Sequence, residues 1–129
     1  MSGLGTAQYP WQLVTSDGID YVSYLDQAAQ PPVLVCQAGL VSYRYRMEAI
    51  SDLAAMLAAS GEWHDLGGVE EDQTPAAGSV EAWGRSPDNP VGGWYGLVPG
   101  LRGQFATFLA PLLQELGLAD LLDGRVRAR

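Results

Sequence analysis

The residues best suited to chemistry lie in the segment from Trp83 to Arg102. Three aromatic side chains and two guanidinium groups occur here on a chain rich in Gly and Pro, namely Trp83, Arg85, Trp94, Tyr95 and Arg102. Guanidinium groups bind carboxylates and phosphates, and aromatic rings supply a stacking surface or a partner for a cation. The segment therefore predicts a ligand-binding site for a small anionic ligand or a protein partner.

A helix predicted to start at Gly103 supports this hypothesis, because the first N–H groups of a helix are unpaired and favour negative charge. In the opposing interpretation, the aromatic side chains fill the space between helix and sheet. Arg85 would then bridge to Asp88 or to the acidic stretch that starts at Glu62. The sequence leaves both interpretations open. Because loops of about 20 residues without regular structure are uncommon unless they function or are disordered, we prefer a non-catalytic binding protein.

A small enzyme is the first alternative, with His64 as its acid or base. His64 is the single histidine, and Asp65 or Glu62 could assist it. No nucleophile can be identified from the sequence, and neighbouring residues do not automatically point together. One histidine also cannot form a multi-histidine metal centre. We therefore expect no metal and no cofactor.

Cys36 is the only cysteine, so no disulfide can form within the chain. It follows the apolar run Val33-Leu34-Val35. In such a strand a buried, inert thiol is expected rather than a nucleophile.

The composition indicates one soluble domain over residues 1–129, with residues 1–8 as a disordered tail. The net charge is -8, and all seven basic side chains are Arg. Nucleic-acid binding needs cations that neutralise phosphates, so this charge opposes it. No apolar stretch has the roughly 18 residues of a membrane span, and the N-terminus has no signal-peptide pattern. We therefore expect no membrane attachment and a cytoplasmic location.

Four strands are predicted in the N-terminal third. Apolar and β-branched runs cover 11–15, 19–26, 33–37 and 40–46, and turn residues separate them. In the last run Tyr43 and Tyr45 alternate with Arg44 and Arg46, as on a strand with one buried and one wet face. We expect a mainly antiparallel four-stranded meander.

Two main helices follow. Ile50, Leu53 and Leu57 have helical spacing, and Gly61 is placed to end the first helix. Residues 62–78 then form an acidic loop, and 80–83 read as a short strand. The second helix is expected over 103–116, where Pro111 must kink it or make it restart. The fold class is therefore α+β.

The C-terminus predicts a β-hairpin, because Asp123-Gly124 separates two short apolar runs. A helix followed by such a hairpin is also typical of a winged-helix regulator, a further alternative that could be a homodimer. The hairpin carries Arg125, Arg127 and Arg129, but the preceding helix has almost no polar or basic residue for a DNA groove. We expect these arginines to pair with the chain's own carboxylates.

The runs VEAWGRSPDNPVGGWYG and RGQFATFLAPLLQELGLA resemble small stand-alone bacterial proteins of a family of unknown function. The resemblance spans most of the chain, from Pro10 to the final strand. It implies a freestanding domain and carries no catalytic residue to this sequence.

Overall fold

The computed structural model describes residues 4–129. In chain order the elements of these residues are β1 (Trp11–Val14), β2 (Asp20–Asp26), β3 (Val33–Ala38), β4 (Val41–Arg46), α1 (Glu48–Ser60), β5 (His64–Asp65), α2 (Val80–Trp83), α3 (Phe105–Glu115), β6 (Ala119–Leu122) and β7 (Arg125–Ala128). The predicted α+β class, with an N-terminal antiparallel sheet, two main helices and a C-terminal hairpin, is confirmed.

The first four strands form one antiparallel sheet in the order β1-β2-β3-β4. Ser23 pairs with Cys36, and Cys36 pairs with Tyr43, so these side chains lie in one row on the same face. Leu34 and Tyr45 extend that buried face one row further. The alternation of β4 therefore places its tyrosines in the core and its arginines on the opposite face, as predicted.

α3 packs against this face and forms the centre of the core. The Tyr21 hydroxyl donates to the carbonyl of Phe108, and the Tyr45 hydroxyl donates to that of Gly103, each at 2.7 Å. α3 runs through Pro111 without a restart. Pro111 is itself buried, and most residues of the helix are buried with it, so packing offsets the lost backbone bond.

Residues 80–83 are a helix, so the prediction of a strand there is wrong. Ser79 is its N-cap, and the Ser79 side chain accepts a hydrogen bond from the N–H of Ala82. Such a cap satisfies one of the unpaired N–H groups of a helix start. Val80 and Trp83 resemble strand residues in type, but Ser79 in the cap position decides the local structure.

A second, three-stranded sheet has the order β5-β7-β6. Its β6–β7 hairpin turns at Asp123 and Gly124, which both have positive φ, as the predicted two-residue turn requires. The sequence missed β5, which lies inside the expected 62–78 loop and pairs His64 with Val126. α1 ends before Gly61, whose φ of 67° fits its predicted role as the stop.

Residues 1–3 of the expected N-terminal tail lie outside the described residues. In residues 4–8 the carbonyl of Gly5 accepts from the N–H of Leu25 at 2.8 Å, and the Gly5 N–H donates to Tyr9 at 2.9 Å. Within the described part of the chain, no helix has both the length and the apolar character needed to cross a membrane.

Candidate functional site

The structure places the five predicted site residues in two groups with different surroundings. Trp83 stacks on Tyr95, whereas Trp94 contacts Arg85 and Arg102. Tyr95 is fully buried, and its ring stacks on Trp83 at 5.6 Å and on Phe105 at 5.1 Å between centroids. Its hydroxyl donates to Asp52 Oδ2 at 2.9 Å. Burial, followed by the nearby Asp52 carboxylate, raises the pKa of Tyr95. Tyr95 therefore lies in the core, as the opposing interpretation of the sequence expected, and the partly buried Trp83 packs against that core.

Asn89 organises the loop that follows α2, a role that the sequence analysis missed. Its side-chain amide donates to the carbonyls of Trp83 and Gly93, both at 2.8 Å. Its Oδ1 accepts from the N–H groups of Val91 and Gly93, both at 3.1 Å. Because Asn89 is buried and saturated in this way, the Gly- and Pro-rich stretch has a defined conformation.

The loop then docks along the free edge of β4. Arg46 N–H donates to the Tyr95 carbonyl at 2.8 Å, and Leu97 N–H donates to the Arg44 carbonyl at 2.9 Å. A Cβ on Gly96 would lie 2.5 Å from the Arg102 Cα, so only glycine permits this approach. The close contact between Gly96 and Arg102 therefore fixes the position of the Arg102 backbone.

Arg85 is nearly buried, with 11% of its side chain exposed. Its guanidinium pairs with the fully buried Glu81, at 2.9 Å from Nη2 to Oε2. It also donates to the backbone carbonyls of Val69, Glu70, Glu71 and Gln73. Arg85 therefore holds the acidic loop against the domain, and its donors are used within the chain.

Arg102 forms a bidentate pair with Glu71 and is more accessible. Its Nε donates to Oε1 at 2.9 Å and its Nη2 to Oε2 at 3.1 Å. The backbone N–H groups of Gly100 and Arg102 also donate to Oε1, at 2.9 and 3.0 Å. We call these four donors the carboxylate cradle. The Arg102 side chain is 35% exposed and that of Glu71 is 20% exposed.

The cradle suits an ionised carboxylate. Hydrogen bonds from Arg102, aided by the N–H of Gly100, lower the pKa of Glu71 to about 2. Two planar N–H donors of a guanidinium match the two oxygens of a carboxylate, which explains the bidentate geometry. The negative charge beside Arg102 thus comes from the chain's own Glu71.

Trp94 connects the two arginines. The guanidinium carbons of Arg85 and Arg102 each lie 4.7 Å from the centroid of its ring. Both positions are within cation–π range. Trp94 is half-buried, so part of its indole contacts solvent next to the cradle.

The start of α3 also receives a negative charge, as the sequence analysis expected of this position. The acceptor is Glu81, whose Oε1 accepts from Ala106 N–H at 2.9 Å and whose Oε2 accepts from Phe105 N–H at 3.3 Å. Burial raises the pKa of Glu81, and these hydrogen bonds together with Arg85 oppose that rise. An external anion has no room at this helix start, because Glu81 is fully buried there.

The two carboxylates that were expected to assist His64 are not its hydrogen-bond partners. Asp65 forms an exposed ion pair with Arg125 at 3.3 Å, and no hydrogen bond joins His64 to Glu62 or Asp65. Instead, His64 Nε2 lies 2.7 Å from Ser60 Oγ, at the end of α1. His64 also lines a shallow cavity of about 410 Å³ beside Trp83. No sequence pattern indicated Ser60. It is the last residue of α1, and His64 lies four positions later in β5, so no helical spacing relates the two side chains.

Two of the three C-terminal arginines pair with the chain's own carboxylates, as predicted, and Arg127 contacts an aromatic ring instead. Arg125 pairs with Asp65, and Arg129 pairs with Asp120 at 3.0 Å. The Arg127 guanidinium lies over the Trp63 ring at 4.6 Å. Most of α3 is buried, so among the described residues this helix presents no basic face to a DNA groove. The geometry thus gives the winged-helix alternative no support.

Cys36 is buried next to Ser23, and burial raises the pKa of its thiol to about 12. Within residues 4–129, no group of three or more His, Cys, Asp and Glu side chains could hold a metal ion.

Comparison with known proteins gives one match. The model of a family of unknown function, DUF6855, matches residues 3–129, which confirms the predicted resemblance. No curated protein and no solved structure matches the chain.

Proposed function

Since the chain belongs to DUF6855, a family of unknown function, we propose a role from its site geometry: a non-catalytic binding protein that receives a carboxylate at Arg102. The single observation behind this proposal is the cradle, in which four N–H donors converge on one carboxylate. In the free protein Glu71 occupies the cradle, and a carboxylate of an anionic ligand or a protein partner takes its place.

The accessibility of the Glu71–Arg102 pair supports exchange. Both side chains are partly exposed, so water and external anions can compete for the guanidinium. The backbone around Glu71 is tied down separately, because Arg85 binds the carbonyls of residues 69–71 and 73. Rotation of the Glu71 side chain alone would therefore free the cradle while the loop stays in place.

The ligand chemistry follows from the donors. A planar carboxylate satisfies the guanidinium fork and the two backbone N–H groups together, as the Glu71 side chain does. The exposed part of Trp94 adds an apolar contact beside the charge, which suits an acidic side chain of a partner or a small organic acid.

Chemical rescue tests this proposal. Glu71→Ala empties the cradle, so acetate or glutarate should raise the melting temperature of this variant more than sodium chloride at equal ionic strength does. The double variant Glu71→Ala/Arg102→Ala should show no such difference between the salts. A matched control is Asp72→Ala, which removes an exposed neighbouring carboxylate outside the cradle.

A second measurement, on the wild-type protein, completes the test. In the wild-type protein, glutarate or an acidic peptide should shift the backbone N–H signals of Gly100 and Arg102 in a ¹H–¹⁵N NMR spectrum. If acetate and chloride stabilise Glu71→Ala equally, and these two signals do not move in the wild type, the proposal is wrong.

Hydrolysis at Ser60 is a second candidate, favoured by the 2.7 Å contact with His64. His64 Nε2 would take the Ser60 proton while Oγ attacks an ester carbonyl, and the alcohol would leave with that proton. Water would then hydrolyse the acyl ester on Ser60, release the acid and restore the hydroxyl. Ser60 is the last residue of α1, where backbone carbonyls rather than N–H groups face outward, so an oxyanion is poorly stabilised there. Release of p-nitrophenol from p-nitrophenyl acetate, lost in both Ser60→Ala and His64→Ala, would support this candidate.

A further inference from the structure

A second cavity lies between the N-terminal sheet and the acidic loop. Its volume is about 220 Å³. Its lining residues come from the β1–β2 turn, β3, β4, the acidic loop and the start of α3. They are Thr15, Asp17, Ile19, Ala38, Val41, Tyr43, Glu70, Gln104, Thr107 and Phe108.

One wall of the cavity is a chain of hydrogen bonds that ends on Glu70. Thr107 Oγ1 donates to Gln104 Oε1 at 2.6 Å, and Gln104 Nε2 donates to Glu70 Oε2 at 2.9 Å. The Tyr43 hydroxyl donates to the same carboxylate at 3.3 Å. These contacts fix the direction of the Glu70 carboxylate without neutralising its charge.

The backbone around this wall is held at close range. A Cβ on Gly68 would collide with the hydroxyl of Thr107, and the N–H of Gln104 donates to the Val69 carbonyl at 2.8 Å. Gln104 has a φ of 58°, which few residues other than glycine adopt. The wall is therefore preorganised rather than assembled by a ligand.

The remaining surface is apolar or acidic. Ile19, Ala38 and Val41 form an aliphatic side, and the rings of Tyr43 and Phe108 lie 4.9 Å apart at the base. Asp17 adds a second carboxylate. The cavity lining contains no Arg, Lys or His, so neither acid faces a cationic side chain across the cavity.

We propose that this cavity binds a small organic ammonium ion, with its charge on Glu70 and its short apolar chain against Ile19 and Val41. A carboxylate in partly apolar surroundings attracts a cation strongly, and aromatic rings add a cation–π contribution. The volume is below the roughly 300–1,000 Å³ of sites for drug-sized ligands, which restricts the ligand to a few carbon atoms. The net charge of -8 further favours the approach of cations.

Titration with n-butylammonium chloride, followed by ¹H–¹⁵N NMR at pH 7, tests the site. The side-chain amide signals of Gln104 and the backbone signal of Thr107 should shift and saturate. Neutral n-butanol and anionic butyrate, which have similar chains, should leave these signals in place. Glu70→Gln keeps the shape of the side chain and should weaken butylammonium binding about tenfold or more, since it removes the ligand's counter-charge.

Two variants keep the result interpretable. Val41→Trp fills the exposed rim of the cavity and should also block butylammonium, which covers the case in which Glu70→Gln does not fold. Glu115→Gln removes an exposed carboxylate outside the cavity lining and should leave the binding unchanged. The proposal is overturned if butanol shifts the same signals, or if folded Glu70→Gln binds butylammonium as tightly as the wild-type protein.

Discussion

Two Glu–Arg ion pairs, Glu81–Arg85 and Glu71–Arg102, both contact Trp94 through their arginines, but they differ in burial. In each, a glutamate carboxylate accepts from a guanidinium and from two backbone N–H groups. The first pair is buried, and the second is open to solvent. Its burial makes Glu81–Arg85 part of the core, whereas the exposure of Glu71–Arg102 leaves it available for exchange.

The pKa directions express the same contrast. Burial raises the pKa of Glu81, since desolvation of the carboxylate outweighs its hydrogen bonds. Hydrogen bonds from Arg102 lower the pKa of Glu71 to about 2, since together they outweigh the desolvation that opposes them. Similar hydrogen-bond donors therefore accompany pKa shifts of opposite direction in the two glutamates, and the burial of each pair determines that direction.

The largest expected effect separates the pairs by stability. Glu81→Ala should lower the free energy of unfolding by about 3–5 kcal/mol, because it leaves Arg85 and the first N–H groups of α3 without a buried acceptor. Urea unfolding monitored by tryptophan fluorescence measures this loss. Glu71→Ala is the matched control and should cost clearly less. Equal losses of unfolding free energy in Glu81→Ala and Glu71→Ala would contradict the difference that we infer between the buried and the exposed pair.

Local sequence signals predicted most of the fold. Asp123-Gly124 predicted the hairpin and Gly61 predicted the end of α1, because each acts through the conformation of one or two residues. The error at 80–83 had an available correction, since Ser79 is a good N-cap residue directly before Val80. Local chemistry thus determines the boundaries of the elements better than residue type alone does.

The candidate site was predictable only in part. The sequence identified Arg102 and the start of α3 as places for negative charge. It could not identify the acceptors, since Glu71 lies 31 residues from Arg102 and Glu81 lies 25 residues from Ala106 along the chain. Contacts at such separations depend on how the sheet edge and the acidic loop meet in three dimensions, and no periodic pattern encodes them.

A conservative change tests whether geometry, as well as charge, secures the buried pair. Arg85→Lys keeps the cation but loses the fork that serves Glu81 and the carbonyls of residues 69–71 and 73. We expect a loss of about 2–3 kcal/mol in urea unfolding, because several acceptors lose their donor. Arg102→Lys should cost much less, since water can replace its contacts. A larger loss in Arg102→Lys would reverse our ranking of the two pairs.

Trp94 allows the two pairs to be compared through one shared ring. Double-mutant cycles with Trp94→Leu and either Arg85→Met or Arg102→Met isolate each cation–π contact. The coupling to Arg85 should be about 1–2 kcal/mol, because that guanidinium is nearly desolvated. The coupling to Arg102 should be smaller, although both distances are 4.7 Å. Equal coupling energies would mean that solvent exposure of the arginine has little influence on the strength of these cation–π contacts.

The smallest expected effect is the pH dependence of the exposed pair. The folded-state pKa of Glu71 is about 2, against an ordinary 4.5 for glutamate, so its contribution to stability is complete above pH 4.5 and disappears as the pH falls towards 2. Glu81 has a raised pKa, so the native state holds its proton more tightly, and its contribution to stability declines as the pH rises from 4.5 through the raised pKa.

Glu71→Gln should therefore flatten the acid limb of urea midpoints plotted against pH between 4.5 and 2. Glu81→Gln should leave the decline below pH 4.5 in place, because Glu71 still titrates there. If Glu71→Gln shows the wild-type slope in this range, Glu71 does not occupy the cradle in solution. An external carboxylate then cannot bind by replacing Glu71, as we propose.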